Sequence, residues 1–343
     1  MGVKGLMQLI ADACPQALKE TGADSYFGRK VALDASLALY SFLIALSPLS
    51  GSFLTNPSGD DTSYLMGLWS RTLRLVACGI KPAFVFDSVR ALGAAAQPQS
   101  AAHSPPGARR VVRVTPTHIE ECKKLLGLMG MPVVQAPAGG EAEAQCAELC
   151  RAGKVFAVGS EDMDALTFGA PVLLRHLTFS EARKLPIVEI ELPKVLEGLG
   201  LTMEQFIDLC ILAGCDYCDT IRGVGPKRAL ALIKQHGSVE QVIKNLDKAK
   251  NPLPDQFPFE ATRELFKHPN VIPGDEVELQ WGSPDEEGLL EYLVAEKGFN
   301  EERVRKGIAT LKAGRKPQPV QGRIDSFFTS AGKSSSSTLK KEA

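Results

Sequence analysis

The 343-residue sequence is 44% hydrophobic and 23% charged, enough to bury a core in one large domain or two coupled ones. Lysine and arginine total 39 against 40 aspartates and glutamates, so affinity for a polyanion must come from local rather than net charge. No run of eighteen apolar residues occurs and residues 1–6 lack a signal-peptide core, which argues against a membrane span or secretion and sets the expectation of an intracellular protein.

In chain order, residues 30–33, 82–86, 132–134, 155–158 and 172–174 read as short buried strands, with helical patterns at 35–45, 63–77, 116–128 and 142–151. This alternation predicts an α/β fold with a mostly parallel central sheet flanked by helices. Beyond Leu192 the pattern is mainly helical, which predicts a helical subdomain packed on the sheet. The expected divisions are residues 1–105, 111–240 and 241–313, followed by a disordered tail at 314–343. Residues 88–107 are rich in Ala, Pro, Ser and Gly without hydrophobic period, and read as a loop. Cys210, Cys215 and Cys218 have iron–sulfur spacing, but no fourth cysteine follows them and Cys210 sits in an apolar helical run. They read as buried, reduced thiols.

Seven acids stand out by position. In a parallel sheet, ligands collect beyond the carboxyl ends of the strands. Asp34 and Asp87 end predicted strands, Asp162 and Asp164 follow the strand at 155–158, and Glu141 and Glu143 open a helix after the strand at 132–134. Each alone also reads as a helix cap, Asp34 before Ala35 most readily. Asp162 and Asp164, two apart in extended chain, would face one way. Glu141 and Glu143 diverge by about 200° in a regular helix, which places them at an irregular first turn or on different ions. With Asp216 these carboxylates would repel one another unless cations neutralise them. An all-oxygen set favours Mg²⁺ or Mn²⁺ over zinc, and two such ions about 4 Å apart support in-line displacement at phosphorus. The cluster by itself leaves phosphodiesterase, phosphatase and nucleotidyl-transfer chemistry open.

The segment Ile221-Arg-Gly-Val-Gly-Pro-Lys-Arg228 pairs two turn glycines, Gly223 and Gly225, with a proline suited to a first helical position. Such a turn directs backbone N–H groups, Lys227 and Arg228 at a phosphate, although an ordinary helix start has the same pattern. Taken with Met1-Gly-Val-Lys-Gly-Leu6, Ser25-Tyr-Phe-Gly-Arg-Lys30, Glu141-Ala-Glu-Ala144, Ser160-Glu-Asp-Met-Asp164, Leu173-Leu-Arg-His-Leu177 and Phe206-Ile-Asp-Leu-Cys-Ile-Leu212, the sequence resembles the eukaryotic flap endonucleases of the XPG type. The resemblance covers residues 1–87 and 111–328.

It implies a structure-specific 5′ nuclease of DNA replication and repair, acting on branched or flapped DNA, with a weaker 5′ to 3′ exonuclease. By the same resemblance Asp34, Asp87, Glu141 and Glu143 hold one Mg²⁺, and Asp162, Asp164 and Asp216 the second. Tyr40 stacks on a base, while Arg71, Glu141, Gly214 and Asp216 touch substrate. Gly223, Gly225, Lys227 and Arg228 belong to a helix-two-turn-helix near 214–236 that grips duplex DNA beside a K⁺ ion. The tail segment Gln321-Gly-Arg-Ile-Asp-Ser-Phe-Phe328 resembles a peptide that docks on the sliding clamp, proliferating cell nuclear antigen, with Gln321 as a polar plug and Ile324, Phe327 and Phe328 as one apolar face. Up to three monomers would then ride one clamp ring. Clamp binding and the weak basic pair Lys340 and Lys341 carry the expectation of a nuclear protein, with a mitochondrial pool left open.

The resemblance breaks after Asp87. There the family continues into a basic helical arch, whereas residues 88–110 here are shorter and offer only Arg90, Arg109 and Arg110; Ser47 also replaces a substrate-binding arginine. Losing one preorganised electrostatic contact costs on the order of 10² to 10³ in rate. The alternative is therefore a DNA- and clamp-binding variant with impaired turnover.

Overall fold

Alternate residues of the inner strands serve two different cores, and that alternation sets where the chain can place charge. The computed structural model describes residues 2–45, 62–88, 114–177, 185–247 and 249–314. The expected arch at 89–110, Ser47 and the clamp-binding segment 321–328 lie outside them.

Seven strands among the described residues form one sheet: β1 (Leu18–Thr21), β2 (Lys30–Asp34), β3 (Lys81–Phe86), β4 (Val133–Gln135), β5 (Ala157–Gly159), β6 (Val172–Arg175) and β7 (Ile187–Glu191). Their spatial order is β1-β7-β6-β5-β2-β3-β4. Strands β2 to β6 are parallel; β7 runs antiparallel to β6, and β1 to β7. The sheet is thus mixed, with an antiparallel edge that the sequence reading lacked. β1 has no buried position, so its Leu-Lys-Glu-Thr sequence carries no strand signal.

The helices are α1 (Leu6–Ala13), α2 (Ala35–Ala45), α3 (Ser63–Ala77), α4 (Pro116–Leu128), α5 (Ala142–Arg151), α6 (Asp164–Thr167), α7 (Leu192–Leu199), α8 (Met203–Ala213), α9 (Pro226–His236), α10 (Val239–Asn245), α11 (Phe259–Lys267), α12 (Glu286–Leu290) and α13 (Glu301–Ala313). Their boundaries follow local chemistry. Thr115 caps α4 in a reciprocal box with His118 and Thr202 caps α8 with Gln205, each satisfying N–H groups that the first helical turn leaves unpaired. Gly200, in the left-handed region, ends α7.

Val31, Leu33, Phe84 and Phe86 point into one core with α2, α3, α4 and α13; Ala32, Val85 and Val158 point into the other with α1, α5, α7 and α8. Burying Phe84 and Phe86 fully contributes about 1.5–3 kcal/mol each. In the helical part, the Arg263 guanidinium joins buried Asp208 (2.6 Å) and Glu240 (2.6 Å), while Asp208 also accepts from Val239 N–H at the start of α10. Removing Arg263 would leave buried Asp208 uncompensated, which costs about 3–5 kcal/mol, so α8, α10 and α11 are held as a unit.

The strand order places β2 between β3 and β5. Connections leave β2 for β3 and β4 on one side, then return to β5 and β6 on the other. The crevice beyond the carboxyl ends of β2 and β5 is a topological switch point, the usual ligand site of an open parallel sheet.

Candidate metal centre

That switch point is where the acids gather. Asp34 is the last residue of β2, Asp87 follows β3, Glu141 and Glu143 open α5 after β4, Asp162 follows β5, Asp164 begins α6, and Asp216 lies in the turn after α8. Asp34 both caps and converges: its Oδ1 accepts from Leu37 N–H at 2.8 Å, and after burial the nearby charges of Asp87 and Asp162 raise its carboxyl. Capping and clustering are compatible because a strand-end carboxylate needs only one oxygen for the helix.

The same economy recurs. Asp87 Oδ1 accepts from Ala142 N–H (2.7 Å), Glu143 Oε1 from Ala165 N–H (2.9 Å) and Asp164 Oδ1 from Val3 N–H (2.9 Å). Glu141 is the extended N-cap of α5 while Glu143 is within its first turn, which resolves the 200° divergence expected of a regular helix. Asp162 and Asp164 are not in extended chain as expected. Asp164 N–H donates to Asp162 Oδ1 at 3.0 Å, and Met163 is helical; the Asp162 side chain folds the segment into a turn.

Among the described residues no three of these side chains close into a ready-made coordination shell. They form an electrostatically coupled basin instead. Burial raises the carboxyls of Asp34, Asp87, Glu141, Glu143, Asp162 and Asp164 above the usual carboxylate range, and neighbouring acids add to the rise at several of them. For Asp164, burial followed by the charges of Asp162 and Asp216 pushes it up to about 8. Asp216 is exposed at the rim. The donor set fits a hard divalent cation: it is all oxygen, and its carboxylates are held in place by protein donors. Cys146 lies beneath the basin, but burial and the neighbouring acids raise its thiol well above the ordinary value, so it offers no thiolate.

Sequence reasoning missed several residues that hold the basin. Ser36 Oγ accepts from Asp87 N–H at 2.9 Å, and the Gln135 amide donates to the Asp87 carbonyl. Gly2 (φ 72°) lies so close that a Cβ there would collide with the Asp162 and Asp164 carboxylates, while Lys4 N–H donates to the Gly214 carbonyl at 3.0 Å. The Tyr217 phenol donates to Glu141 Oε2. Ser, Gln, Gly and Tyr are common types, and nothing local marks them before the fold brings them to the acids.

The other expected substrate contacts have these surroundings. Tyr40 is exposed on α2, with 43% of its surface accessible. Arg71 of α3 instead lies partly buried with its guanidinium 4.3 Å from the Phe42 ring, and burial pushes it down to about 10. In the 221–228 segment Gly225 caps α9 and Pro226 opens it, as expected. The basic pair stays exposed, but both side chains are engaged by the protein. Lys227 Nζ meets Asp12 of α1 at 2.7 Å, and Arg228 donates to the Gly223 carbonyl (2.9 Å) and to Asn251 (2.8 Å). Buried Asn251 also donates to the Arg222 carbonyl at 2.7 Å. Gly223 has φ 77°, and a Cβ there would approach the Asn251 amide to 2.9 Å, so a side chain is excluded twice over.

Comparison with known proteins agrees with this geometry. The XPG N-terminal domain matches residues 1–100 and the XPG I-region residues 130–216. Flap endonuclease 1 of Branchiostoma floridae is 51% identical over 348 residues, covering 96% of this chain and 90% of that protein. The structure of flap endonuclease-1 from Methanococcus jannaschii superposes with a TM-score of 0.72 at 32% identity, covering 91% of this chain and 98% of the other. The catalytic core of Rad2 in complex with DNA substrate gives 0.71 at 25% identity, covering 90% of this chain and all of that one. The chain belongs to the flap endonuclease family of XPG-type, metal-dependent nucleases, which act on phosphodiester bonds.

Proposed function

We propose that the chain cuts branched DNA at the junction of a 5′ flap with duplex, with a weaker 5′ to 3′ exonuclease, in Okazaki-fragment maturation and long-patch base excision repair. The observation that carries this is the gathering of seven carboxylates at the switch point of the sheet, six of them held in place by N–H or O–H donors. Asp34, Asp87, Glu141 and Glu143 would hold one Mg²⁺, and Asp162, Asp164 and Asp216 the other, with Mn²⁺ able to substitute. When bound, such ions activate water and stabilise the leaving oxygen. The protein's own part is to fix the carboxylates, keep Cys146 protonated and present Tyr40 at the rim for stacking on a base. Arg71, Gly214 and the turn at Gly223 and Gly225 would contact substrate, with Lys227, Arg228 and a K⁺ ion gripping duplex phosphates. Residues 321–328 would dock on the sliding clamp, which supports placement in the nucleus.

A second reading is favoured by residues 88–110, which lack the family's basic arch: a DNA- and clamp-binding form with slow turnover. One experiment separates the two. Incubation of a 5′-flap duplex with the protein and Mg²⁺ is expected to yield junction cleavage that Asp162→Ala reduces by on the order of 10³ or more. Flap binding without cleavage would select the second reading, and cleavage unaffected by Asp162→Ala would reject both.

A further inference from the structure

Tyr217 stands one residue after Asp216, in the turn that Cys215 and Cys218 close by an isolated antiparallel bridge. Its ring is boxed in: Phe168 meets it edge-on at 6.4 Å and Phe266 at 5.3 Å, with interplanar angles of 80° and 83°. Its carbonyl accepts from Thr262 Oγ1 of α11 at 3.4 Å. These contacts leave the ring little rotational freedom, and its hydroxyl is directed at Glu141 Oε2. Glu141 is the N-cap of α5 with no capping hydrogen bond from its side chain, so the phenol is what orients that carboxylate. A carboxylate can only accept, so the phenol O–H is the donor of this bond.

We propose that Tyr217 is a positioning residue that ties the two carboxylate sets together, its hydroxyl fixing Glu141 of one set while its backbone carries the adjacent Asp216 of the other. One oxygen of Glu141 is taken by the phenol and the other is left for the cation. A carboxylate in a basin of like charges otherwise swings outward, and the order lost must be restored each time the cation binds. Residues that orient ligands from behind typically alter metal affinity or activity by about 10- to 100-fold. The aromatic box serves the same end from below: Phe168 closes α6, which Asp164 opens, and Phe266 lies on α11, so both sets and the helical part meet on one ring.

This inference rests on the proposed two-metal reading, and the test keeps the two apart. Tyr217→Phe retains the ring and removes only the hydroxyl. With a 5′-flap duplex, its half-activating Mg²⁺ concentration is expected to rise by about 10- to 100-fold, with cleavage recovering at high Mg²⁺ and flap affinity without Mg²⁺ unchanged. Phe266→Leu, which loosens the box but keeps the hydroxyl, is expected to lower Tm and to move the Mg²⁺ curve by clearly less than Tyr217→Phe does. In a Glu141→Gln background, adding Tyr217→Phe is expected to shift the curve little further. A Tyr217→Phe curve superimposable on wild type overturns the proposal, as does a shift that Phe266→Leu reproduces or that persists in full in the Glu141→Gln background. Asp162→Ala, assayed alongside, reports on the underlying reading: if it retains wild-type cleavage, that reading fails whatever Tyr217 does.

Discussion

The carboxylate basin and the 221–228 turn solve opposite electrostatic problems with the same device. In the basin, acids are crowded together and six of the seven are held by a neutral donor, chiefly a backbone N–H. In the turn, the cations are folded back onto the protein, Lys227 onto Asp12 and Arg228 onto Asn251 and the Gly223 carbonyl. The basin therefore crowds like groups whose repulsion a cation would relieve, whereas the turn keeps its cations paired with protein acceptors that a phosphate would have to displace. Under the proposed function, preorganisation would serve chemistry in the first region and selectivity of grip in the second.

Breaking the basin should have the larger consequences. Gly2→Ala would drive a Cβ into the Asp162 and Asp164 carboxylates, and kcat on a flap duplex is expected to fall by on the order of 10- to 100-fold with little change in DNA affinity. An equal loss of affinity would show that the amino-terminal segment supports the grip instead.

The crowded acids also predict a pH effect. The Asp164 carboxyl, pushed up to about 8 in the fold, titrates near 3.9 in an unfolded chain. Between these values the folded state binds more protons, so stability falls as pH rises from about 4 to about 8. In EDTA, Tm is expected to drop by on the order of 5 °C across the upper half of that window, and saturating Mg²⁺ should remove most of the drop. A Tm independent of pH in EDTA would mean that the basin is hydrated enough to ionise freely.

Changes in the turn should act on binding. Asn251→Ala removes the buried amide that holds Arg222 and Arg228; KM for flap DNA is expected to rise about tenfold, equivalent to about 1.4 kcal/mol, with kcat at saturation preserved. The smallest effect belongs to Asp12→Asn, which releases exposed Lys227. It should tighten duplex binding about two- to fivefold at low salt and lose the gain as salt screens the lysine. Weaker binding at low salt would instead make Asp12 a support that aims Lys227 outward.

Much of this was legible beforehand. The five parallel strands and helices α2 to α5 lie close to where hydrophobic periodicity puts them, because each runs between strong signals: Asp34 before α2, Thr115-Pro116 before α4, Glu141 before α5. The seven acids were legible as strand-end carboxylates. Strand β1 was not, since its side chains face solvent or lie half-exposed and its backbone pairs only with β7. Nor was the bend at Asp162 to Asp164, where a side chain competes with extended backbone for the same N–H.

The sequence by itself determined the residue types, the alternation that builds a parallel sheet and the family to which the chain belongs, because these depend on near neighbours and on strings of identity. The tertiary structure alone decided what surrounds each charge. Val3 reaches Asp164 across 161 residues, Tyr217 reaches Glu141 across 76, and Lys227 settles on Asp12 of the first helix. No local pattern encodes such pairings; they arise when the sheet closes and distant segments share one low-dielectric crevice, where an unpaired polar group is costly and each donor takes the acceptor within reach.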